Sequence, residues 1–405
     1  MTSAPRFRPR FDPPLSTPTP TPAAAAAPAA AAAAVENSGC CQSGAGGGSD
    51  CCGERSAGGG RQAADRVKDL AELVRAPAAL SVVGDSLAGL AAARAGTPTP
   101  LRARHALLPV ASACLYLGGM ALNDYADRHL DAVERPERPI PSGRVTPGGA
   151  LTVGAALTAG GIAAAGLAGG RRALAVAVPL AACVWTYDLV AKDRPAGPFV
   201  MAACRGLDVL LGATPGRVQS ALPAAAGLTA HTLGVTVLSR GEVHGTTRPV
   251  AGGVAAGTVA GAVAAVATSS WGTRAVAERA SRTPGGRTAV PARGTSPAAP
   301  SVPGTWGGRA GTGGGAVARW ATVAAAAAYT AAALPGQVRA AAEPTAANAR
   351  TATRSGIQAM VPLQAAWAAR AGGLGTAALL AGVAAAGYGL RLLGRARGRA
   401  GVSIT

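Results

Sequence analysis

Aromatic side chains make up only 3% of the 405 residues, and lysine occurs twice, as Lys68 and Lys192. So few rings argue against one large soluble core, because Phe, Tyr and Trp dominate the energetics of such cores. Acids are scarce as well, 19 against 38 Lys and Arg, which leaves a formal net charge of +19. A basic chain of this kind binds nucleic acid when its charge gathers on one face. Here the arginines are spread over connections and tails without aromatic interleaving, so no nucleic-acid partner is expected. They suit anchoring among membrane lipids. Of seven cysteines, Cys114, Cys183 and Cys204 lie in apolar stretches and read as small buried packers. The doublets Cys40-Cys41 and Cys51-Cys52 match none of the usual zinc spacings. They fall in a Pro-, Ala-, Gly- and Ser-rich stretch, 1–63, that reads as a disordered tail and lacks the basic-then-apolar order of a signal peptide.

Charge-poor apolar runs, by contrast, are abundant. They recur at 76–93, 106–122, 148–170, 173–186, 198–213, 221–238, 249–270, 316–335 and 373–390. Each approaches the ~20 residues a helix needs to cross the hydrocarbon core. The runs are rich in Ala and Gly and lack polar faces at helical spacing, as expected of helices packed closely inside a bilayer. The expected fold is all-α, a multi-span integral membrane bundle of about nine helices.

Before the first run, 64–75 form a short amphipathic helix that should lie on the membrane, with Val67, Leu70, Leu73 and Val74 on one face. The bundle domain is assigned to 76–393, with a Gly/Pro/Ser-rich disordered insertion at 272–315 and a basic tail at 394–405. The stretch 355–370 is too polar for a comfortable span and is expected to be interfacial or re-entrant. With the N-terminus inside, the connections 123–147, 192–197, 240–248 and 336–356 face the cytoplasm and carry most of the loop arginines. A cell-membrane protein with an inward-facing site is the resulting expectation.

Five of the 19 acids lie between Asp124 and Glu137. They follow directly on an apolar run, where carboxylates are costly and point to function. On a helix, Asn123, Asp124, Asp127 and Asp131 share one side. Three acids on one face repel one another unless a cation lies between them, and Mg²⁺ takes oxygen ligands while bridging to substrate phosphates. A Mg²⁺–diphosphate site at the mouth of the bundle is the physical inference. The alternative is a solvated loop whose acids pair with Arg128, Arg135 and Arg138. The following Pro-punctuated segment is stiff, and its Arg138 and Arg144 are suited to clamp phosphate oxygens in bidentate fashion or simply to anchor at the interface. In the fifth run, Arg205 and Asp208 stand i, i+3 and either pair with each other or line a substrate cavity.

The window Asn123-Asp-Tyr-Ala-Asp127-Arg-His-Leu-Asp131, followed by Arg-Pro-Ile-Pro-Ser-Gly-Arg, resembles the first aspartate-rich motif of the UbiA prenyltransferase superfamily. Within it, the chain looks most similar to the divergent EboC-type branch. The resemblance implies an intramembrane enzyme that moves an isoprenyl group from an isoprenyl diphosphate donor to an aromatic or other lipophilic nucleophilic acceptor, with Mg²⁺ as cofactor. It implies that Asp124, Asp127 and Asp131 hold the metal and that Asn123 and Arg138 help bind substrate. Tyr187-Asp-Leu-Val-Ala-Lys192-Asp-Arg194 is similar to the family's Tyr-x3-Lys-Arg element with one additional residue. On that likeness Tyr187 lies near the allylic carbon, and Lys192 and Arg194 bind diphosphate. Where the family has its second aspartate-rich motif, this chain has Ser239-Arg240-Gly241-Glu242-Val243-His244-Gly245. Arg240 would add positive charge, Glu242 one metal ligand and His244 a base or hydrogen-bond donor. His105 and His231 are expected to be structural. A non-catalytic protein that binds isoprenoid diphosphates or aids metabolite export is the alternative. The motif order of CDP-alcohol phosphotransferases is absent, and no pair of broken helices suggests a transporter.

Overall fold

The computed structural model describes residues 65–75, 79–95, 100–267 and 312–396. The cysteine doublets, the tail 1–63, most of the 272–315 insertion and the end of the basic tail lie outside the described residues.

Every regular element among the described residues is helical. Helix α1 covers 65–73. It is followed by α2 (Leu80–Ala93), α3 (Leu107–Glu134), α4 (Pro147–Gly169), α5 (Arg171–Thr186), α6 (Gly197–Ala213), α7 (Val218–Ser239), α8 (Arg248–Ala267), α9 (Thr312–Ala342), α10 (Ala346–Arg370) and α11 (Leu374–Ala396). The nine apolar runs coincide with α2 through α9 and with α11. Among the described residues, six helices are long and apolar enough to cross a membrane: α3 with the short turn before it, α4, α5 with the turn after it, α7, α8 and α9. Ser81–Ala93 and Leu374–Leu390 are shorter apolar helices. The protein is a helical membrane bundle.

Helix α10 is the element hydropathy left out. The expected 336–356 connection shrinks to Glu343–Thr345, and 355–370 is neither interfacial nor re-entrant but the second half of a continuous helix. Its 25 residues rise about 37 Å, enough to span. Ala349, Ala352, Gly356, Ala359 and Leu363 recur at helical spacing and are buried against α9, α7 and α2. The polar residues that lowered its hydropathy are spent on other positions of the helix and on internal contacts. A start is also visible: the Thr345 hydroxyl accepts from the Asn348 amide at 3.3 Å and caps the first turn.

Alanine supplies most of the buried core, and within it one polar tie joins three helices. His231 of α7 lies between Tyr329 of α9 and α10. Its Nε2 donates to the Gly356 carbonyl at 2.9 Å, so its Nδ1 accepts from the Tyr329 hydroxyl at 2.9 Å. That tie makes His231 structural, as expected, by fixing its tautomer.

Candidate active site

Helix α3 continues well beyond its apolar part, and its last turns carry Asn123, Asp124, Asp127 and Asp131. Acids at a helix C-terminus face the negative end of the macrodipole. Asp124 and Asp131 are buried in addition, which requires them to be paired. Three different segments deliver the cations. Asp124 Oδ1 accepts from Arg75 Nη2 at 2.9 Å and from Arg138 Nη1 at 3.3 Å. Arg138 Nη1 also donates to Asp131 Oδ2 at 2.5 Å. Asp127 is bonded by Lys192. Arg138 thus bridges two carboxylates two turns apart through the single nitrogen Nη1.

The loop after α3 is shaped for this. Its turns are closed by Ser142 N to the Arg138 carbonyl at 3.0 Å and Val145 N to the Pro139 carbonyl at 2.9 Å. Ile140 is buried beside Leu73, Val74, Ala121 and Ala150, which pins the segment to the rim. Arg144, a candidate phosphate clamp or interface anchor, holds α1 here: it donates to Asp69 at 2.5 Å and to both Glu72 oxygens at 2.8 and 3.1 Å. Helix α1 is therefore strapped across the rim, with Val67 and Leu70 exposed and Leu73 and Val74 buried. The strap ends on Arg75 in a left-handed conformation, φ 48°, and turns its guanidinium onto Asp124.

Glu72 is held below the usual glutamate range, chiefly by its hydrogen bonds with Arg144. A depressed carboxyl contributes above its ordinary value and loses that contribution as pH falls through the depressed one. Amide exchange in 65–75 is therefore expected to rise as pH drops below the ordinary glutamate range, and Arg144→Ala should raise it at neutral pH. Hydrogen-exchange mass spectrometry, compared with the α4 amides as reference, checks both.

The opposite wall of the site is the end of α5. Here the helix widens into a π-turn, Tyr187–Ala191, closed by Lys192 N to the Tyr187 carbonyl at 2.9 Å. One turn thus contains one extra residue, the additional residue of the Tyr-to-Lys spacing, and π-turns of this kind concentrate at functional sites. The turn directs Lys192 to Asp127 and buries Asp188 against α3. Asp188 is hydrogen-bonded by Asn123 and lies near Lys192 and Asp127. Gly119 makes room for it: a Cβ there would lie 3.4 Å from Asp188 Oδ2 and 2.8 Å from Val184 Cγ1. Tyr187 is half-buried near Asp127 and Asp188.

Asn123, Asp124, Asp127, Asp131, Arg138, Tyr187 and Lys192 are thus brought to one rim. Arg240 reaches the neighbouring connection through the Arg194 carbonyl, whereas the Arg194 side chain is exposed. Glu242 uses its backbone carbonyl to accept from Arg350 at 2.6 Å, and His244 is exposed. Arg205 and Asp208 pair neither with each other nor with the rim: Arg205 is ion-paired with Asp85, and Asp208 is hydrogen-bonded with Ser112. Ser112 precedes Asp124 by twelve residues on α3, about 18 Å deeper. One site residue escaped detection as functional: Arg75 closes a stretch that reads only as an interfacial helix. Asp188, by contrast, is open to a metal-helping role from the sequence although its spacing is off the family's pattern, and the structure buries it.

The donor set suits a hard divalent cation in kind, since it is all oxygen, and Mg²⁺ is commonly held by one or two carboxylates plus phosphates. The trio does not converge as a whole: Asp124 and Asp131 share Arg138, while Asp127 faces Lys192 and the Asp188 side. Among the described residues no group of three His, Cys, Asp or Glu has metal-site spacing.

Fold and rim together define a helical membrane protein with acids and bases interlocked at one mouth of the bundle. Residues 83–241 match the UbiA prenyltransferase family, which supports the superfamily resemblance. The digeranylgeranylglyceryl phosphate synthase of Methanopyrus kandleri is 60% identical over 40 residues, 10% of this chain and 15% of that protein. That of Ignicoccus hospitalis is 40% identical over 84 residues, 21% of this chain and 26% of that protein. The matches therefore span about a quarter or less of these relatives. Among solved structures, the apo form of a UbiA homolog from Aeropyrum pernix K1 is similar over 68% of this chain and 96% of that one, at 19% identity and a TM-score of 0.43.

Proposed function

We propose that this protein is an intramembrane prenyltransferase that uses an isoprenyl diphosphate donor and a lipophilic or aromatic acceptor. The observation that carries the reading is the pairing of α3 carboxylates with Arg75, Arg138 and Lys192 inside the segment that matches the family model. The same cations that neutralise the acids are those a diphosphate needs.

Asp127, with Asp188 beside it, would be the pair to hold Mg²⁺; the ion, when bound, would supply charge neutralisation to the diphosphate. Arg75, Arg138 and Lys192 then exchange carboxylate partners for phosphate oxygens, and Arg240 adds charge from the next connection. Stabilising the departing diphosphate lets the allylic carbon–oxygen bond break. Tyr187 flanks that carbon, and the Ala- and Gly-lined bundle keeps water from it. The acceptor bonds to the carbon and gives up a proton. The placement of the rim in a cell membrane with the site facing the cytoplasm, and membership of the EboC-type branch, belong to this same proposal.

The test is release of diphosphate and formation of a prenylated product by the protein in lipid nanodiscs. Turnover is expected, is lost when a chelator removes divalent cations, and falls at least ~100-fold in Asp127→Asn. Activity unchanged by both treatments would overturn the reading. The exposed His244, in the segment that stands where the family's second aspartate-rich motif falls, favours a second reading, a non-catalytic binder of isoprenoid diphosphates. Saturable binding with no product over a panel of acceptors would decide for it.

A further inference from the structure

A second ionisable cluster lies deep in the bundle, about two-thirds of a membrane thickness from the rim site. Asp85 of α2, Arg205 and Asp208 of α6, Ser112 of α3 and Gln364 of α10 are all buried. Asp85 has the ion pair: Arg205 Nη1 lies 3.0 Å from Oδ2, although that oxygen accepts no hydrogen bond, and Gln364 Nε2 donates to Oδ1 at 2.6 Å. Asp208 has no ion pair and only Ser112, whose hydroxyl lies 2.6 Å from Oδ2, and its Oδ1 likewise has no hydrogen-bond partner. The charged groups acting on Asp208 are Asp85 and Arg205.

The charge count does not close. Two carboxylates share one guanidinium, and an uncompensated charge at such depth neutralises rather than persists. One positive charge is missing, and α2 and α6 are packed too closely to leave room for a hydrated metal ion. A proton fits without a cavity. It belongs on the carboxyl with the poorer supply of donors. Asp85, with a guanidinium and an amide, is the stabilised anion. Asp208 is the acid, and the Ser112 hydroxyl, which can donate or accept, serves its Oδ2 in either sense. The Ser112 Oγ also lies 3.3 Å from the Val82 carbonyl. A proton donated by Asp208 leaves the serine hydrogen for that carbonyl, whereas an ionised Asp208 would take it.

We propose that Asp85, Arg205 and Asp208 form an intramembrane proton-binding site, separate from the acid–cation rim, in which Asp208 holds the proton and Asp85 is the anion.

Infrared difference spectroscopy on the full chain in nanodiscs at neutral pH tests this. A protonated-carboxyl C=O band is expected in the wild type, absent from Asp208→Asn, retained in Asp124→Asn and weakened in Asp85→Asn, where Arg205 is left with Asp208 as its carboxylate. A band that persists in Asp208→Asn, or no band at all, would overturn the assignment. Ser112→Ala offers a readout independent of changes at Asp208: it should shift the band, and an unmoved band overturns the proposal. Thermal unfolding adds a further arm. Asn imitates a neutral acid, so Asp208→Asn should keep the wild-type midpoint, while Asp85→Asn moves the negative charge to Asp208, which has fewer donors, and lowers it; the reverse order overturns the proposal. None of these outcomes depends on prenyl transfer.

Discussion

Arg138→Ala is expected to lower turnover by about two to three orders of magnitude, the range seen when one preorganised charge-stabilising donor is removed, without unfolding the protein. Arg138 has two duties. In the resting rim it joins Asp124 and Asp131 at the end of α3, where each carboxylate opposes the helix dipole. In the proposed reaction it meets developing charge on the departing diphosphate. Its removal leaves Asp124 with Arg75 alone and Asp131 with no ion pair among the described residues, so the acids and the donor are both mispositioned. The anchor Ile140 remains, so the loop should keep its place. Arg138→Lys should recover only part of the activity: one nitrogen, Nη1, meets both carboxylates and an ammonium can replace it, but an ammonium lacks the second prong that grips a phosphate in bidentate fashion. Rates of diphosphate release for the three proteins, with matched protein levels and thermal midpoints, check the prediction. A fully active Arg138→Ala protein would remove the rim from the chemistry.

Much of this rim was legible in the sequence because helical spacing fixes what shares a face. Asn123, Asp124, Asp127 and Asp131 are one side of any helix through that window, and their position after an apolar run marks the mouth of a bundle. Partners were not legible to the same degree. Arg128 and Arg135, the nearest basic residues, are not the ones that pair with the acids; Arg138, Arg75 and Lys192 are, from positions up to 65 residues away. Such pairings depend on how α1 is strapped and how the π-turn rotates Lys192, neither of which has a period. Arg205 and Asp208 illustrate the same limit. Their i, i+3 spacing permits a pair, yet the tight approach of α2 brings Asp85 to Arg205 instead. The fold followed the pattern of apolar runs wherever burial is in lipid. It departed at α10, whose polar residues lower its average hydropathy although Gln364 bonds inside the bundle and a full face of small residues is buried.

The approach of α2 to α6 carries the other large prediction. Gly89→Ala and Gly212→Ala are each expected to destabilise the fold strongly. A Cβ on Gly89 would lie 1.8 Å from the Val209 carbonyl oxygen, and one on Gly212 would lie 1.9 Å from the Ser86 carbonyl oxygen. Both obstacles are helix backbone, which cannot rotate aside as a side chain can, so the two helices must separate. Overpacking of this kind costs about 1–3 kcal/mol and at times more. Here the separation also opens the seam that holds Asp85 and Asp208, each one turn before a critical glycine, and a broken buried ion pair adds about 3–5 kcal/mol. The contrast lies on α8, where a Cβ on Gly252 or Gly257 meets nothing within 4 Å. Gly→Ala at those positions should be neutral or stabilising by roughly 0.5–1 kcal/mol, since alanine loses less backbone freedom in a helix. The double variant Gly89→Ala/Gly212→Ala should cost less than the sum of its parts, because one separation relieves both clashes. Thermal midpoints in detergent for these five proteins decide the matter: Gly89→Ala behaving like Gly252→Ala would mean that α2 and α6 do not touch backbone to backbone, and the buried cluster between them would lose its geometric basis.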